Sequence, residues 1–133
     1  MNSVSAGLYN ALKAGTALIG TLGGTAIYNG VAPRGASLPY VVFSLASGIE
    51  DNLTPTASQR FVYLVKGVAT TLLQAGTIAD QVHTLLQNQT LTVSGGLNYW
   101  TARESILAYT EIEPTGATVG HAGGEYLVRI EST

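Results

Sequence analysis

Two long segments of the chain carry no acidic or basic side chain apart from one histidine. The first lies between Lys13 and Arg34, and the second, which contains His83, lies between Asp80 and Arg103. Charged residues make up 11% of the chain, whereas a typical soluble domain has about 25%. Because a charged surface opposes association, we infer that other subunits cover much of this surface.

The glycines of the first uncharged segment argue against a transmembrane helix. Residues 14–33 are numerous enough to cross a bilayer, but Gly15, Gly20 and the pair Gly23-Gly24 interrupt them, and leucine and isoleucine are sparse. The first residues also lack the basic start and the continuous apolar core of a secretory signal. We therefore expect no association with a membrane.

Apolar residues at spacings of three and four predict two helices. The first helix extends from about Val4 to Leu22, with Gly15 as a point that weakens or interrupts it. The second covers Thr71–Asn88. An alternative start of the second helix at Thr77 remains open, because the four residues from Thr77 to Asp80 resemble a capping box.

The other apolar segments predict short strands separated by loops. The predicted loops are Ala46–Gln59, which is polar and contains Pro55, and a glycine-rich segment from Pro114 to Gly124. The predicted strands are Thr25–Asn29, Tyr40–Leu45, Arg60–Ala69, Leu91–Val93, Leu97–Tyr109 and Glu125–Ile130. We expect an α+β fold in one domain, residues 1–133, with an antiparallel-rich sheet of four to six strands and two helices on one face.

The ionisable residues form no pattern that is typical of catalysis. His83 follows Asp80 by three residues on the predicted helix, which predicts a polar surface pair. His121 lies in a glycine-rich segment where we expect a solvated loop, since a catalytic role would need a nucleophile or a second ligand nearby. Glu111 and Glu113 share a strand face, and we expect them to be solvated. The sequence predicts no catalytic residue, cofactor or metal site.

The composition also argues against a nucleic-acid-binding protein. The net charge is −2 and no two basic residues are adjacent, whereas such proteins cluster lysine and arginine against phosphates. Tyr99 and Trp100, with Arg103 nearby, resemble a stacking platform for single strands. Without a basic groove, however, core or interface packing is the better prediction for these aromatic residues. The chain has no cysteine, so disulfides and thiolate metal sites are excluded.

The order of several motifs resembles the tail-completion, or tail-terminator, family of long-tailed bacteriophages. Leu8–Leu45 contains the family's helix, its "G-x-x-I-Y" strand and its "A-P-x-G-x-x-x-P-Y-V-V" segment. Ile78–Gly96 is similar to the family's second helix with the short strand and hairpin that follow. The matching residues of the first part are Leu8, Ala11, Leu12, Leu18, Gly24, Ile27, Tyr28, Ala32, Pro33, Gly35, Pro39, Tyr40, Val41 and Val42.

The resemblance implies a structural virion protein that is not an enzyme. Such a protein forms a ring of identical copies, usually hexameric, on the head-proximal end of the tail tube, where it stops tube polymerisation and offers a surface to head-completion proteins. Its partners are then its own copies, the tail tube protein and a head-completion or connector protein, while DNA only passes through the channel. The implied location is the neck of the virion, after assembly in the host cytoplasm. A head–tail joining protein, the cap of a contractile particle and a small enzyme remain alternatives.

Two segments are the expected contacts between subunits or rings. Arg34 lies at the tip of the loop between Pro33 and Pro39, whose rings restrict the backbone on both sides. Closure of the fold is an equally good explanation for this loop. The second segment lies in the predicted loop Ala46–Gln59 and consists of Glu50, Asp51, Asn52, Leu53 and Thr54.

Overall fold

A computed structural model describes residues 2–51 and 58–132 as three helices and five strands. None of the helices in these residues is long and apolar enough to span a membrane. The helices are α1 (Asn2–Lys13), α2 (Thr16–Leu22) and α3 (Leu72–Leu86), and the strands are β1 (Ile27–Asn29), β2 (Tyr40–Asp51), β3 (Ser58–Ala69), β4 (Gly96–Ile112) and β5 (Thr118–Ser132).

The five strands form one mixed sheet in the order β1-β2-β3-β5-β4. Only β1 runs parallel to its neighbour β2, with Ile27 opposite Val41, and the other three pairs are antiparallel. The α+β prediction with an antiparallel-rich sheet is therefore confirmed. The sheet ends in a three-residue strand on one side and a seventeen-residue strand on the other.

One face of the sheet carries the helices and the core. Tyr63 and Val65 on β3 are fully buried on this face together with Ile78 of α3. The Tyr63 hydroxyl also lies 2.8 Å from the Ser5 hydroxyl of α1. At Gly67 an added Cβ would lie 2.5 Å from Ile78, so β3 and α3 approach closely where the strand has no side chain.

The first predicted helix is two helices, so the described part of the chain has three helices instead of the two that were predicted. The break occurs at Gly15, whose extended backbone (φ −77°, ψ 103°) precedes α2. A Cβ at Gly15 would lie 2.4 Å from Leu85 of α3. The corner between α1 and α2 therefore packs directly on α3.

The second predicted helix begins after Thr71 and not at Thr77. The Thr71 side chain accepts a hydrogen bond of 3.2 Å from the backbone N–H of Gln74, which satisfies one of the free donors of the first turn. Thr77 lies inside α3, where its hydroxyl donates to the Leu73 carbonyl. The alternative start at Thr77 is wrong.

The predicted loop Ala46–Gln59 is wrong at both ends. β2 continues to Asp51 and β3 begins at Ser58, with Glu50 opposite Gln59. The pairing shifts its register between Leu45 and Ser47, and a bulge of this kind bends a strand without ending it. Polar composition was misleading here because Ala46–Glu50 is exposed strand.

Leu91–Val93 is not a strand, although a strand and hairpin were predicted there. The backbone N–H of Leu91 donates 2.6 Å to the side-chain oxygen of Asn98, which is 2% exposed. The side-chain amide of Asn98 donates to the carbonyls of Trp100 and Arg129. A buried side chain thus takes the place of the strand partner that the prediction assumed.

The predicted loop Pro114–Gly124 is also wrong in its second half, because β5 begins at Thr118. A Cβ at Gly120 would lie 2.6 Å from the Leu72 nitrogen, and one at Gly123 would meet the Val65 backbone. These glycines allow the strand to approach other backbone closely, and they do not form a turn.

Candidate functional site: an assembly surface

The loop between β1 and β2 covers one end of the sheet face opposite the helices. A turn closes it, with the Ala36 N–H donating 3.0 Å to the Pro33 carbonyl, and Gly35 has the positive φ (84°) that a type II turn needs at this position. Arg34 is exposed at the tip, as predicted. Loop and sheet enclose a cleft of about 360 Å³, lined by Gly30, Val31, Ala32, Pro33, Gly35, Ala36, Tyr40, Val42, Ser44, Leu64, Lys66, Val68 and His121.

A chain of polar contacts crosses three strands beside this cleft. The Lys66 ammonium of β3 donates 3.1 Å to the Tyr109 hydroxyl of β4, and the Tyr109 ring stacks on His121 of β5 at 4.5 Å. The Nε2 atom of His121 lies 3.3 Å from Glu111. Burial raises the pKa of Tyr40, which lines the same cleft, while the positive charge of Lys66 acts in the opposite direction.

The prediction that His121 is a solvated loop residue is wrong. His121 belongs to β5 and is only 8% exposed. Its Nδ1 atom is buried and has no hydrogen-bond partner in the described part of the chain. Glu111 is more than half exposed, and Glu113 lies just beyond β4.

The polar contacts join neighbouring strands of the sheet. Lys66 is engaged by Tyr109, and His121 has one carboxylate neighbour. Residues 2–51 and 58–132 contain no group of three or more histidine, aspartate or glutamate side chains that could hold a metal ion. Since these contacts join β3, β4 and β5, they fix the C-terminal half of β4 to the sheet.

The strand β4 forms an open edge of the sheet. It pairs with β5 on its inner side, and no described strand pairs with its outer side. Its large apolar side chains are exposed at Leu97, Tyr99, Trp100, Ile106, Tyr109 and Ile112. Unpaired N–H and C=O groups beside exposed apolar side chains are the usual features of a surface on which another chain adds.

Four side chains form a row across the face that has no described helix. Cross-strand register places Ile49 opposite Arg60, Arg60 opposite Arg129, and Arg129 opposite Trp100. The Arg129 guanidinium lies 5.6 Å from the centre of the Trp100 ring, which is within the range of a cation–π contact. Ile49 (54% exposed) and Trp100 (42% exposed) are the two ends of this row.

His83 lies on the other face, between α3 and the sheet. Its Nδ1 atom is 3.1 Å from the Tyr126 hydroxyl, so its hydrogen-bond partner is a core tyrosine and not the predicted Asp80. Burial, and then the positive charge of Arg103, lower the pKa of His83, while Asp80 opposes them. Burial raises the pKa of Tyr126. The pair therefore belongs to the helix–sheet contact.

Comparison with known proteins assigns the family. The family model described as tail completion protein gp17 matches residues 6–108. The chain belongs to this family. A chain of the native gene transfer agent virion has the same fold, with a TM-score of 0.72 and 20% sequence identity over 94% of this chain and 92% of that one. No curated protein matches the sequence.

The family assignment confirms the resemblance and makes the chain a structural protein of a phage tail. The match extends from α1 into β4, so it includes the Pro33–Pro39 loop, both parts of the β2–β3 pair that the structure describes, and α3. A tail completion protein acts by contact with other virion proteins. Its functional residues are therefore sought on exposed surfaces.

The predicted contact residues lie at opposite ends of β2. Arg34 precedes Tyr40, the first residue of β2. Glu50 lies ten residues after Tyr40, roughly 33 Å along the strand. The Glu50 carboxylate accepts a 3.1 Å hydrogen bond from the Gln59 side chain. Asp51 is the last residue of β2. Asn52, Leu53 and Thr54 lie outside the described residues.

The β4 edge was not predicted as a contact surface. The strand itself was predicted, and Tyr99 and Trp100 were assigned to core or interface packing. Their exposure excludes the core. The available signal was the series of large apolar residues at Leu97, Ile106 and Ile112, which continues past the predicted end of the strand.

Proposed function

We propose that copies of this chain form a closed ring, of hexameric order, on the head-proximal end of the tail tube. The ring stops tube polymerisation and presents a surface for head attachment. The observation that carries this proposal is the tail completion family match over residues 6–108. The similarity in fold to a chain of a gene transfer agent virion supports it.

The surface of the chain is suited to ring formation. A ring needs two different contact surfaces on each copy, because a head-to-tail interface joins unlike patches. The β4 edge and the exposed end of β2 are two such surfaces on opposite sides of one sheet. The low content of charged residues, 11%, also favours a surface that other copies cover.

Further contacts are proposed for the segments that the sequence singled out. Arg34 lies on its exposed turn before β2, whereas Glu50 and Asp51 are the last two residues of β2. This separation fits contacts with two different neighbours, one towards the tube and one towards the head. DNA passes through the ring without being held, in keeping with a net charge of −2, since basic walls would retain phosphates.

Deletion of the gene in its phage, followed by electron microscopy of the particles, tests the proposal. We expect overlong or headless tails, and we expect normal particles when a wild-type copy is supplied. A copy carrying Asp51→Lys with Leu53→Asp should fold with an unchanged melting temperature and fail to restore normal tails. Tails of normal length beside DNA-filled heads would indicate a head–tail joining protein instead.

A further inference from the structure

We propose that neighbouring copies join edge to edge, with Ser44–Asp51 of β2 in one copy adding as a strand to Leu97–Ser105 of β4 in the next. The proposal rests on the ring described above and names the surface that builds it. It assigns the two open edges of the sheet to each other.

Both edges are open in the described part of the chain. β1 pairs with β2 only at Val41–Phe43, which leaves the outer side of Ser44–Asp51 without a strand. The outer side of β4 is open along its whole length. Since unpaired backbone groups on a long edge pair readily with another strand, each copy offers one acceptor edge and one donor edge.

The two edges lie at the same height on the sheet. Following the register across the strands, Ser44 is level with Leu64, Glu125 and finally Ser105. At the other end, Glu50 is level with Gln59, Ile130 and Asn98. A copy placed beside its neighbour at equal height therefore brings Ser44–Asp51 against Leu97–Ser105. At the level of Ile106–Ala108 the edge of the first copy is β1 and not β2, so β4 of the neighbour has to turn outwards there, next to its register shift between Arg103 and Ser105.

The strand directions are also compatible. Three successive antiparallel pairs connect β2 to β4, so the two strands run in opposite directions. A ring axis that runs along the strands keeps these directions in every copy. The new pair is then antiparallel, the commoner arrangement at such edges.

The side chains at this junction are complementary. Ile49 and Trp100 end the same cross-strand row, on the same face of the sheet. In the joined sheet, Trp100 of one copy lies opposite Ile49 of the next. An aromatic residue opposite a β-branched one is a favourable cross-strand pair, and both side chains are exposed in the single copy.

A second copy of the chain provides a pairing partner for both edges, whereas any other partner would pair with only one of them. Pairing of β4 with β4 of another copy would close a two-fold dimer and leave Ser44–Asp51 open. A strand from a different protein would likewise leave the β2 edge unassigned. Only unlike pairing, β4 with β2, uses both of these open segments and continues from copy to copy.

Engineered disulfides test the pairing, because the chain has no cysteine of its own. Directly opposed residues of antiparallel strands have Cα atoms at a distance that a disulfide can bridge. The full chain with Ile49→Cys and Trp100→Cys, oxidised in solution and on isolated tails, should give a ladder of cross-linked species up to the ring. Ser47→Cys with Trp100→Cys would give the ladder if the two strands pair with their register shifted by two residues.

Ile49→Cys with Leu73→Cys is the control, because Leu73 on α3 is more exposed (85%) than Trp100 (42%), and it should give no ladder. Light scattering of the wild-type chain, free and mixed with tails, reports the ring separately. A ring that neither cysteine pair cross-links would overturn edge pairing and leave the proposed function intact. Absence of any ring would overturn both, and dimers from Trp100→Cys alone would show the two-fold arrangement and overturn the proposal.

A charge exchange provides a second test that does not depend on disulfide formation. Ile49→Lys should abolish the ring, and Ile49→Lys combined with Trp100→Glu should restore it, since opposite charges are favourable at directly opposed positions. A double variant that remains unassembled while folding like the wild type would count against this register.

Discussion

The helix-covered face of the sheet and its β4 edge use the same kinds of residue for different purposes. Tyr63 and Ile78 are fully buried between the sheet and the helices, whereas Ile106 and Ile112 on β4 are 72% and 73% exposed. Burial of apolar surface stabilises a fold by about 25 cal/mol per Å². The first region therefore buries its apolar surface on folding, and the second leaves its apolar surface exposed and available for association.

The same truncation in each region should separate the two roles. Ile78→Ala should lower the free energy of unfolding by about 3 kcal/mol, because it removes buried methyl groups and leaves a cavity. Thermal unfolding should show a melting temperature lower by roughly 10 °C. Leu97→Ala should change stability by less than about 1 kcal/mol, since the side chain is 57% exposed.

Assembly provides the opposite readout for the same two variants. The Leu97→Ala chain should keep its melting temperature and form the ring less readily in light scattering, since Leu97 lies in the proposed junction. Ile78→Ala should form the ring normally at temperatures where it remains folded. Equal losses of stability in the two variants would show that the β4 edge belongs to the fold's own core.

Two glycine substitutions test whether α3 packs tightly against the helix-covered face of the sheet. Gly120→Ala places a methyl group 2.6 Å from the Leu72 nitrogen and should destabilise by about 1–3 kcal/mol. Gly76→Ala on α3 meets nothing within 4 Å and should stabilise by about 0.5–1 kcal/mol through helix propensity. Urea unfolding measures both. A Gly120→Ala chain as stable as the wild type would mean that α3 can move away from β5.

The sequence predicts the parts of this fold that depend on local periodicity. The apolar stripes of α1, α2 and α3 and the core of β3 follow from residues such as Leu8, Val65 and Ile78, which belong to one core cluster. The family resemblance follows from the order of these same segments. Their burial is encoded in the spacing of neighbouring residues along the chain.

Features that depend on distant partners could not be predicted. Gly120 indicates a loop until the first turn of α3 is placed beside it, and Leu91 indicates a strand until Asn98 takes its N–H. The open edge follows from strand order alone. Arg34 and Glu50 are candidate contacts in the sequence, but only the length of β2 shows that they lie far apart.

The smallest effect concerns His83, the histidine of the helix-covered face. Burial, and then Arg103, hold its pKa below the ordinary value of 6.5, with Asp80 acting in the opposite direction. The folded chain therefore binds this proton less tightly than the unfolded chain. The stability that His83 contributes is complete above pH 6.5 and is lost as the pH falls from 6.5 through the lower pKa of the folded state.

His83→Gln removes this titration and keeps a polar group for the Tyr126 hydroxyl. Between pH 7.5 and pH 5 the melting temperature of the wild type should fall by a few degrees more than that of the variant. Carboxylates titrate in both chains, so only the difference between the two profiles reports His83. Superimposable profiles would show that the contact between α3 and Tyr126 opens easily enough for water to reach the ring, and the helix-covered face would then be less closed than its burial indicates.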